Sequence, residues 1–327
     1  MQAWIKMIIA ASTITLITVA GTAAYSQYFA KRRLMISTTT SLYETGLLDE
    51  IKRKFETEYG IVLNFIPVGT GIAIQQAKNG DVDLTLVHSP TMEKSFLEQG
   101  YGVCRKIVAY NFFVIVGPEE DPAGIEGLNV TTALRCIVEY AKTQNGKVWV
   151  SRGDNSGTHQ KERSLWKLAG YDYAEISRES WYASAGSGMG QTLLMANEFR
   201  AYTLSDIGTY LKYSKENRIA LKALITEEKE LINVYSVMAV NPIRHPLVNF
   251  NDTITFIKFL VSEEGQQLIE NYGLDEFGKS LFHGAVKILK EDSPSQIAKW
   301  IRDYAFFNGS ECPPEYRNAC PELYEGG

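Results

Sequence analysis

Three times this chain passes from a short apolar run, through a turn of small hydroxyl and glycine residues, into a segment of helical periodicity. The apolar runs are Leu34–Ile36, Ile61–Val68 and Gly146–Val150. The turns that follow are Ser37-Thr38-Thr39-Thr40-Ser41, Gly69-Thr70-Gly71 and Ser151–His159. Helices are expected over Tyr43–Tyr59, after Gly71 to about Lys78, and over Gln160–Leu168, where apolar residues recur at helical spacing. Strand and helix in alternation imply an α/β fold with a mostly parallel sheet. In such a sheet ligands bind outside the carboxyl ends of the strands, where these turns fall.

The third turn, Ser-Arg-Gly-Asp-Asn-Ser-Gly-Thr-His, carries the most chemistry. The first turn of a helix has unpaired N–H groups and about half a positive charge, so an oxyanion is held there by backbone alone. Ser151, Ser156 and Thr158 add hydroxyl donors, and Arg152 adds a planar fork of fixed charge. The same residues also fit an ordinary cap at Asp154 or Ser156, with Arg152 in a surface pair. Arg152-Gly153-Asp154 matches an adhesion tripeptide by letter, with nothing else in the chain to support that role.

The chain has 327 residues, enough for two domains or two lobes. Its 33 basic and 38 acidic residues leave a net charge of −5, which excludes nucleic acid or an anionic membrane as the main partner. A lysine at position 6 precedes the uncharged, largely apolar run Met7–Ala24, so residues 1–30 read as an export signal or an uncleaved membrane anchor. The expected location is extracytoplasmic, in the periplasm or on the outer face of the cell membrane. Cys104, Cys136, Cys312 and Cys320 follow in the exported part. A Cys312–Cys320 disulfide closing a small loop in the tail is the first expectation, and Cys104–Cys136 the second.

Val108–Val116 and Asn233–Val240 are strongly strand-like and read as two crossings between lobes. The expected division is 34–112 with 240–305 as lobe 1, 113–239 as lobe 2, and 306–327 as a tail. Further helices are expected over Asn129–Tyr140, Val248–Val261 and Gly265–Tyr272.

These segments resemble the tungstate-binding proteins of ABC importers, which are type II periplasmic binding proteins. The resemblance is carried by Thr38–Ser41 with Gly46–Asp49, Val68–Gly71, Leu86–Pro90, Tyr110–Pro118, Ser151–His159, Gly186–Gly190 and Tyr202–Asp206, in that order. It implies two lobes, each with a mostly parallel sheet flanked by helices, joined by two crossings. It further implies tungstate, or molybdate, held as an oxyanion by Thr39, Thr40, Ser41, Thr70, Gly71, Ser151, Arg152, Ser156, Gly157, Thr158, Tyr202 and Thr203. No cofactor and no metal centre are implied, and the expected partner is the membrane permease of an importer. Ile207 stands where the family usually has arginine, and Ile72 where glutamine is common. These departures leave molybdate, sulfate and phosphate open beside tungstate.

An exported hydrolase is the main alternative, since Asp154, Ser156 and His159 lie within six residues. Residues this close on a helix start rarely converge as a triad, and no Gly-x-Ser-x-Gly elbow occurs. His88, His159, His245 and His283 lack zinc spacing, although His88 and His159 flank the anion turns.

Overall fold

The computed structural model describes residues 32–290, 295–317 and 319–324. The apolar run Met7–Ala24 lies outside the described residues, and no described helix is long and apolar enough to cross a membrane.

The chain enters through β1 (Arg33–Thr39), α1 (Thr40–Glu44) and α2 (Leu47–Tyr59). The single helix expected over Tyr43–Tyr59 is thus two. Gly46 at φ +86° breaks it, and a Cβ there would meet the Tyr272 hydroxyl at 2.6 Å. Next come β2 (Val62–Val68), α3 (Thr70–Asn79), β3 (Leu84–Val87), α4 (Pro90–Glu98) and the long β4 (Gly102–Pro118). The second half of the cleft is built by α5 (Val130–Ala141), β5 (Trp149–Ser151), α6 (Gly157–Leu168), α7 (Tyr173–Ile176), β6 (Tyr182–Ser184), α8 (Met189–Phe199), β7 (Tyr202–Asp206), α9 (Ile207–Lys215) and β8 (Leu221–Ile225). The chain returns by β9 (Ile232–Val240) to α10 (Phe250–Val261), α11 (Glu263–Asn271), α12 (Leu274–Phe277), β10 (His283–Gly284), α13 (Val286–Lys290) and α14 (Gln296–Ala305).

The strands run in the order β2-β1-β3-β9-β4-β7-β5-β6, with β8 and β10 also paired to β4. Two sheets share that path. In the first, β2-β1-β3 are parallel, and in the second β7-β5-β6 are parallel; β4 and β9 pair antiparallel with their neighbours. Strand β4 serves both sheets. Its residues through Phe112 pair with β9, and from Phe113 onward with β7. Nearly every β4 residue is buried, which explains its unbroken apolar run.

The return differs from expectation. Residues Ile232–Val240 pair throughout with β3 and β4 of the first sheet, so the second crossing lies before Ile232 rather than at 239/240. The antiparallel ladder to β4 needs the whole of β9. In addition, α14 buries Ile301 and Ala305 in the cluster that holds Trp149, Trp166 and Ile232, so it packs across the division. The first sheet is covered on one face by Phe55, Phe256 and Phe259, and on the other by Ala73, Ile74, Phe96 and Leu97.

The disulfide expectation is overturned. Cys104 is bonded to Cys320, 216 residues away, while Cys136 and Cys312 are free thiols. The tail is not a loose end but folds back over the bulged start of β4. Arg105 is buried, its Nε donating to Glu93 at 2.9 Å and its guanidinium stacked on the Phe307 ring at 4.4 Å. Lys106 pairs with Glu311, and the Tyr324 hydroxyl donates to the Arg105 carbonyl at 2.7 Å. These contacts bring Cys320 to Cys104 and bury the Cys312 thiol, so closeness in sequence did not decide the pairing. Closing so long a loop restricts the unfolded chain strongly. Cys320→Ala is expected to lower the denaturant midpoint and to steepen the slope as the unfolded chain expands, with a loss of about 2–5 kcal/mol.

Candidate anion-binding site

Two strand ends face each other across the lobes. On the first sheet β1 ends at Thr39 in register with Val68 of β2, and α1, α3 and α4 start beyond β1, β2 and β3. On the second sheet Ser151 of β5 is in register with Ser184 of β6, and α6, α8 and α9 start beyond β5, β6 and β7. The Arg152 Nη2 donates to Thr40 Oγ1 at 3.1 Å, joining the two edges. The His88 ring lies against Gly157, where a Cβ would come within 2.8 Å of Cε1, so only glycine allows this approach.

The loop that carries Arg152 is shaped by its own side chains. Arg152 Nε donates to Asp154 Oδ2 at 2.8 Å, and Asp154 Oδ1 accepts from the Ser156 N–H at 3.1 Å. Gly153 has φ +65°, and a Cβ there would sit 1.9 Å from Ser184 Oγ. His159 Nδ1 accepts from the Asn155 N–H at 2.9 Å, which leaves its Nε2–H to donate to the Tyr173 hydroxyl at 2.7 Å. That tautomer is neutral, and burial lowers the His159 pKa accordingly. Both Asp154 oxygens are occupied within the loop. Asp206 likewise caps α9, accepting from the Thr209 N–H at 2.8 Å and from its hydroxyl.

Nine of the twelve expected residues stand at these facing edges: Thr39, Thr40, Ser41, Thr70, Gly71, Arg152, Ser156, Gly157 and Thr158. Thr39 and Ser156 are N-caps, accepting from Leu42 N and His159 N. The Ser41 hydroxyl donates to Thr39 Oγ1 at 3.4 Å. Arg152 Nη1, Thr70 Oγ1 and Thr158 Oγ1 are buried polar atoms with no protein partner. Helices α3 and α8 begin on Gly69 and Gly188, which offer no side-chain cap and so leave first-turn amides unpaired.

The remaining three spend their hydroxyls inside the second lobe. Ser151 donates to Glu162 Oε2 at 2.6 Å, and Thr203 to the Val150 carbonyl at 2.6 Å. Tyr202 donates to Asp121 at 2.9 Å and accepts from the Ala123 N–H at 2.8 Å. Ser151 does so because Glu162, one turn along α6 and fully buried, collects four donors: Ser151, Tyr182 and the indoles of Trp149 and Trp166. Burial raises the Glu162 pKa, and those four bonds oppose the rise.

Sequence reading missed Ser187, whose hydroxyl is also buried without a partner, and Glu44, whose carboxylate lies 3.8 Å from the Cβ position of Gly188. Ser187 sits in Gly186–Gly190, one of the matched segments, and that placement was the signal available. Partial burial raises the Glu44 pKa, and Arg152 opposes the rise. The two departures also find places. Ile207 packs against the cluster of Val114, Met189 and Tyr210, while Ile72 is 58 % exposed.

His88 closes the floor between the lobes. Its Nδ1 meets Asn233 Oδ1 at 2.9 Å; Asn233 Nδ2 donates to Asn111 Oδ1 at 3.0 Å, and Asn111 Nδ2 to the Leu281 carbonyl at 3.2 Å. A carbonyl can only accept, so the chain runs one way and His88 carries its proton on Nδ1. Behind it, Lys161 Nζ donates to the carbonyls of Glu230 at 3.1 Å and Ile232 at 2.8 Å, tying α6 to the return crossing. Burial lowers the Lys161 pKa to about 7.

Desolvation lowers the His88 pKa to about 4, against 6.5 for a free histidine. Between those values the unfolded chain binds a proton that the folded one refuses, so stability falls as pH drops from 6.5 towards 4 and is fully present above 6.5. The slope expected from His88 is up to about 1.4 kcal/mol per pH unit. Denaturant titrations across that window check it, and His88→Gln should flatten the curve.

Comparison with known proteins agrees with this geometry. Residues 18–264 match the family model described as a PBP superfamily domain. A putative ABC transporter anion-binding protein of Haloferax volcanii is 41% identical over 256 residues, covering 77% of this chain and 71% of that protein. The tungstate-binding protein TupA of Peptoclostridium acidaminophilum is 39% identical over 257 residues, covering 77% and 86%. Among solved structures, the tungstate-binding TupA of Desulfovibrio alaskensis G20 superposes with a TM-score of 0.68 at 42% identity, covering 77% of this chain and 98% of that one. Two facing helix-start edges, a buried arginine between them and this degree of similarity place the chain in the TupA family of ABC-transporter substrate-binding proteins, within the periplasmic binding protein superfamily.

Proposed function

We propose that this chain captures tungstate, and molybdate at the same site, between its two lobes and delivers it to the membrane permease of an ABC importer outside the cytoplasm. The observation that carries the reading is the set of buried donors without protein partners, Arg152 Nη1, Thr70 Oγ1 and Thr158 Oγ1, at the facing strand ends. A buried unpaired donor costs on the order of 1–3 kcal/mol, and an oxyanion offering several acceptors removes that cost at each. One guanidinium with neutral donors at a set radius selects by size. Tungstate and molybdate are similar in size and larger than sulfate or phosphate, so the smaller ions leave stretched or unmade bonds.

Calorimetric titration with tungstate, molybdate, sulfate and phosphate in turn is the test. The expected outcome is tight binding of the first two and binding of the others weaker by several factors of ten. Sulfate or phosphate binding as tightly as tungstate would overturn the size argument. Arg152→Ala is expected to weaken tungstate binding at least tenfold, since charge-assisted bonds contribute about 1.5–3 kcal/mol. Thr158→Val should lower affinity without lowering the stability of the unliganded protein, because the hydroxyl it removes has no protein partner.

A further inference from the structure

Two large apolar side chains stand almost wholly in solvent on one loop: Ile243 is 87 % exposed and Leu247 100 %. Isolated exposed residues are ordinary, but this loop is held in shape to present them. Asn241 Oδ1 accepts from the Ile243 N–H at 3.0 Å and Asn241 Nδ2 donates to the Gly100 carbonyl at 2.9 Å. His245 Nε2 meets the Lys78 carbonyl at 2.9 Å, and the Asn249 N–H donates to Asp83 Oδ1 at 2.7 Å. The Arg244 guanidinium lies on the Tyr101 ring at 4.4 Å.

The loop occupies the edge of the first sheet opposite the anion site, where β1, β2 and β4 begin and β9 ends. It touches the point where the chain enters: Asn249 Nδ2 donates to the Arg33 carbonyl at 3.4 Å, and Arg32 pairs with Asp252 at 2.8 Å in the next helix. Arg32, Arg33 and Arg244 are exposed there, with Glu58, Asp81 and Glu98 the exposed acids nearby in sequence. Seven residues, 25–31, separate Arg32 from the apolar run ending at Ala24. Fully extended at roughly 3.3–3.6 Å per residue they reach about 25 Å, so in the uncleaved chain this edge cannot leave the neighbourhood of a bilayer.

We infer that loop 241–249 is a membrane-contact loop, with Ile243 and Leu247 entering the headgroup boundary of a bilayer and Arg32, Arg33 and Arg244 lying on anionic phospholipid. An apolar element beside basic residues is the chemistry of interfacial attachment. The net charge of −5 confines the contact to this edge. Two side chains bury far less than the roughly 1,600 Å² of a stable protein interface, which disfavours a second copy as the occupant. The inference is independent of which anion is carried.

The test uses the full chain in vesicles of phosphatidylcholine and phosphatidylglycerol containing brominated lipid. Leu247→Trp is expected to add strong bromine quenching over the parent protein, whereas Leu168→Trp, on the exposed face of α6, should add none. Hydrogen exchange at 241–249 should slow on vesicles in the parent but not in the Ile243→Asp, Leu247→Asp double variant. If the apolar run is removed during preparation, the remaining chain should partition onto anionic vesicles at least tenfold better than that double variant. Absent quenching at Leu247→Trp, equal exchange, equal partition, or protection that follows protein concentration without vesicles would each overturn the inference.

Discussion

A guanidinium cannot be buried for nothing, and the arrangement around Arg152 is organised by that constraint. Its Nε is satisfied by Asp154 and its Nη2 by Thr40, while Nη1 is directed into the protein without an acceptor. The Asp154 pair reduces the desolvation cost and fixes the plane of the fork. The Thr40 bond then makes that plane a property of both lobes. A small dianion would complete the remaining acceptor requirement.

The loop keeps its shape because the layer behind it is fully hydrogen-bonded. Glu162 gathers two indoles and two hydroxyls, pinning β5, β6 and α6 to one another. Lys161, the neighbouring residue, faces the other way and ties α6 to the return crossing at Ile232. Adjacent residues on one helix therefore connect the Arg152 loop to the second-lobe core and to the start of β9. Neither performs chemistry on a ligand. Both hold the start of α6 fixed relative to the strands around it.

Much of this was legible in the residues. Helix starts after Ser/Thr and glycine turns follow from capping chemistry, and the runs before them have strand periodicity, so the strand-to-helix turns were legible in the residues. What was not legible depended on contacts between distant segments. Strand periodicity could not tell which hydroxyls of Ser151, Tyr202 and Thr203 would be taken by Glu162, Asp121 and the Val150 carbonyl. The Cys312–Cys320 expectation failed because only tertiary contacts, through Arg105, Lys106 and Glu311, bring Cys320 to Cys104. The lobe boundary at β9 was missed for a related reason: ladder partners are chosen by neighbouring strands, not by the strand's own composition.

The pairing of Cys104 with Cys320 also bears on how the two halves of the cleft are closed. The strands of the second sheet beyond β4 follow one another in sequence, whereas the first lobe is assembled from two segments far apart in the chain and joined by a bond spanning 216 residues. The first sheet cannot close until β9 has returned to β3 and β4, and the cluster around Trp149 and Trp166 is completed by Ile301 and Ala305 of α14. Thr40 therefore stands on a sheet closed by contacts between distant segments, and Arg152 on one whose parallel strands β5, β6 and β7 lie close in sequence. The two halves of the cleft are thus closed over very different lengths of chain, and the covalent bond fastens the longer of them.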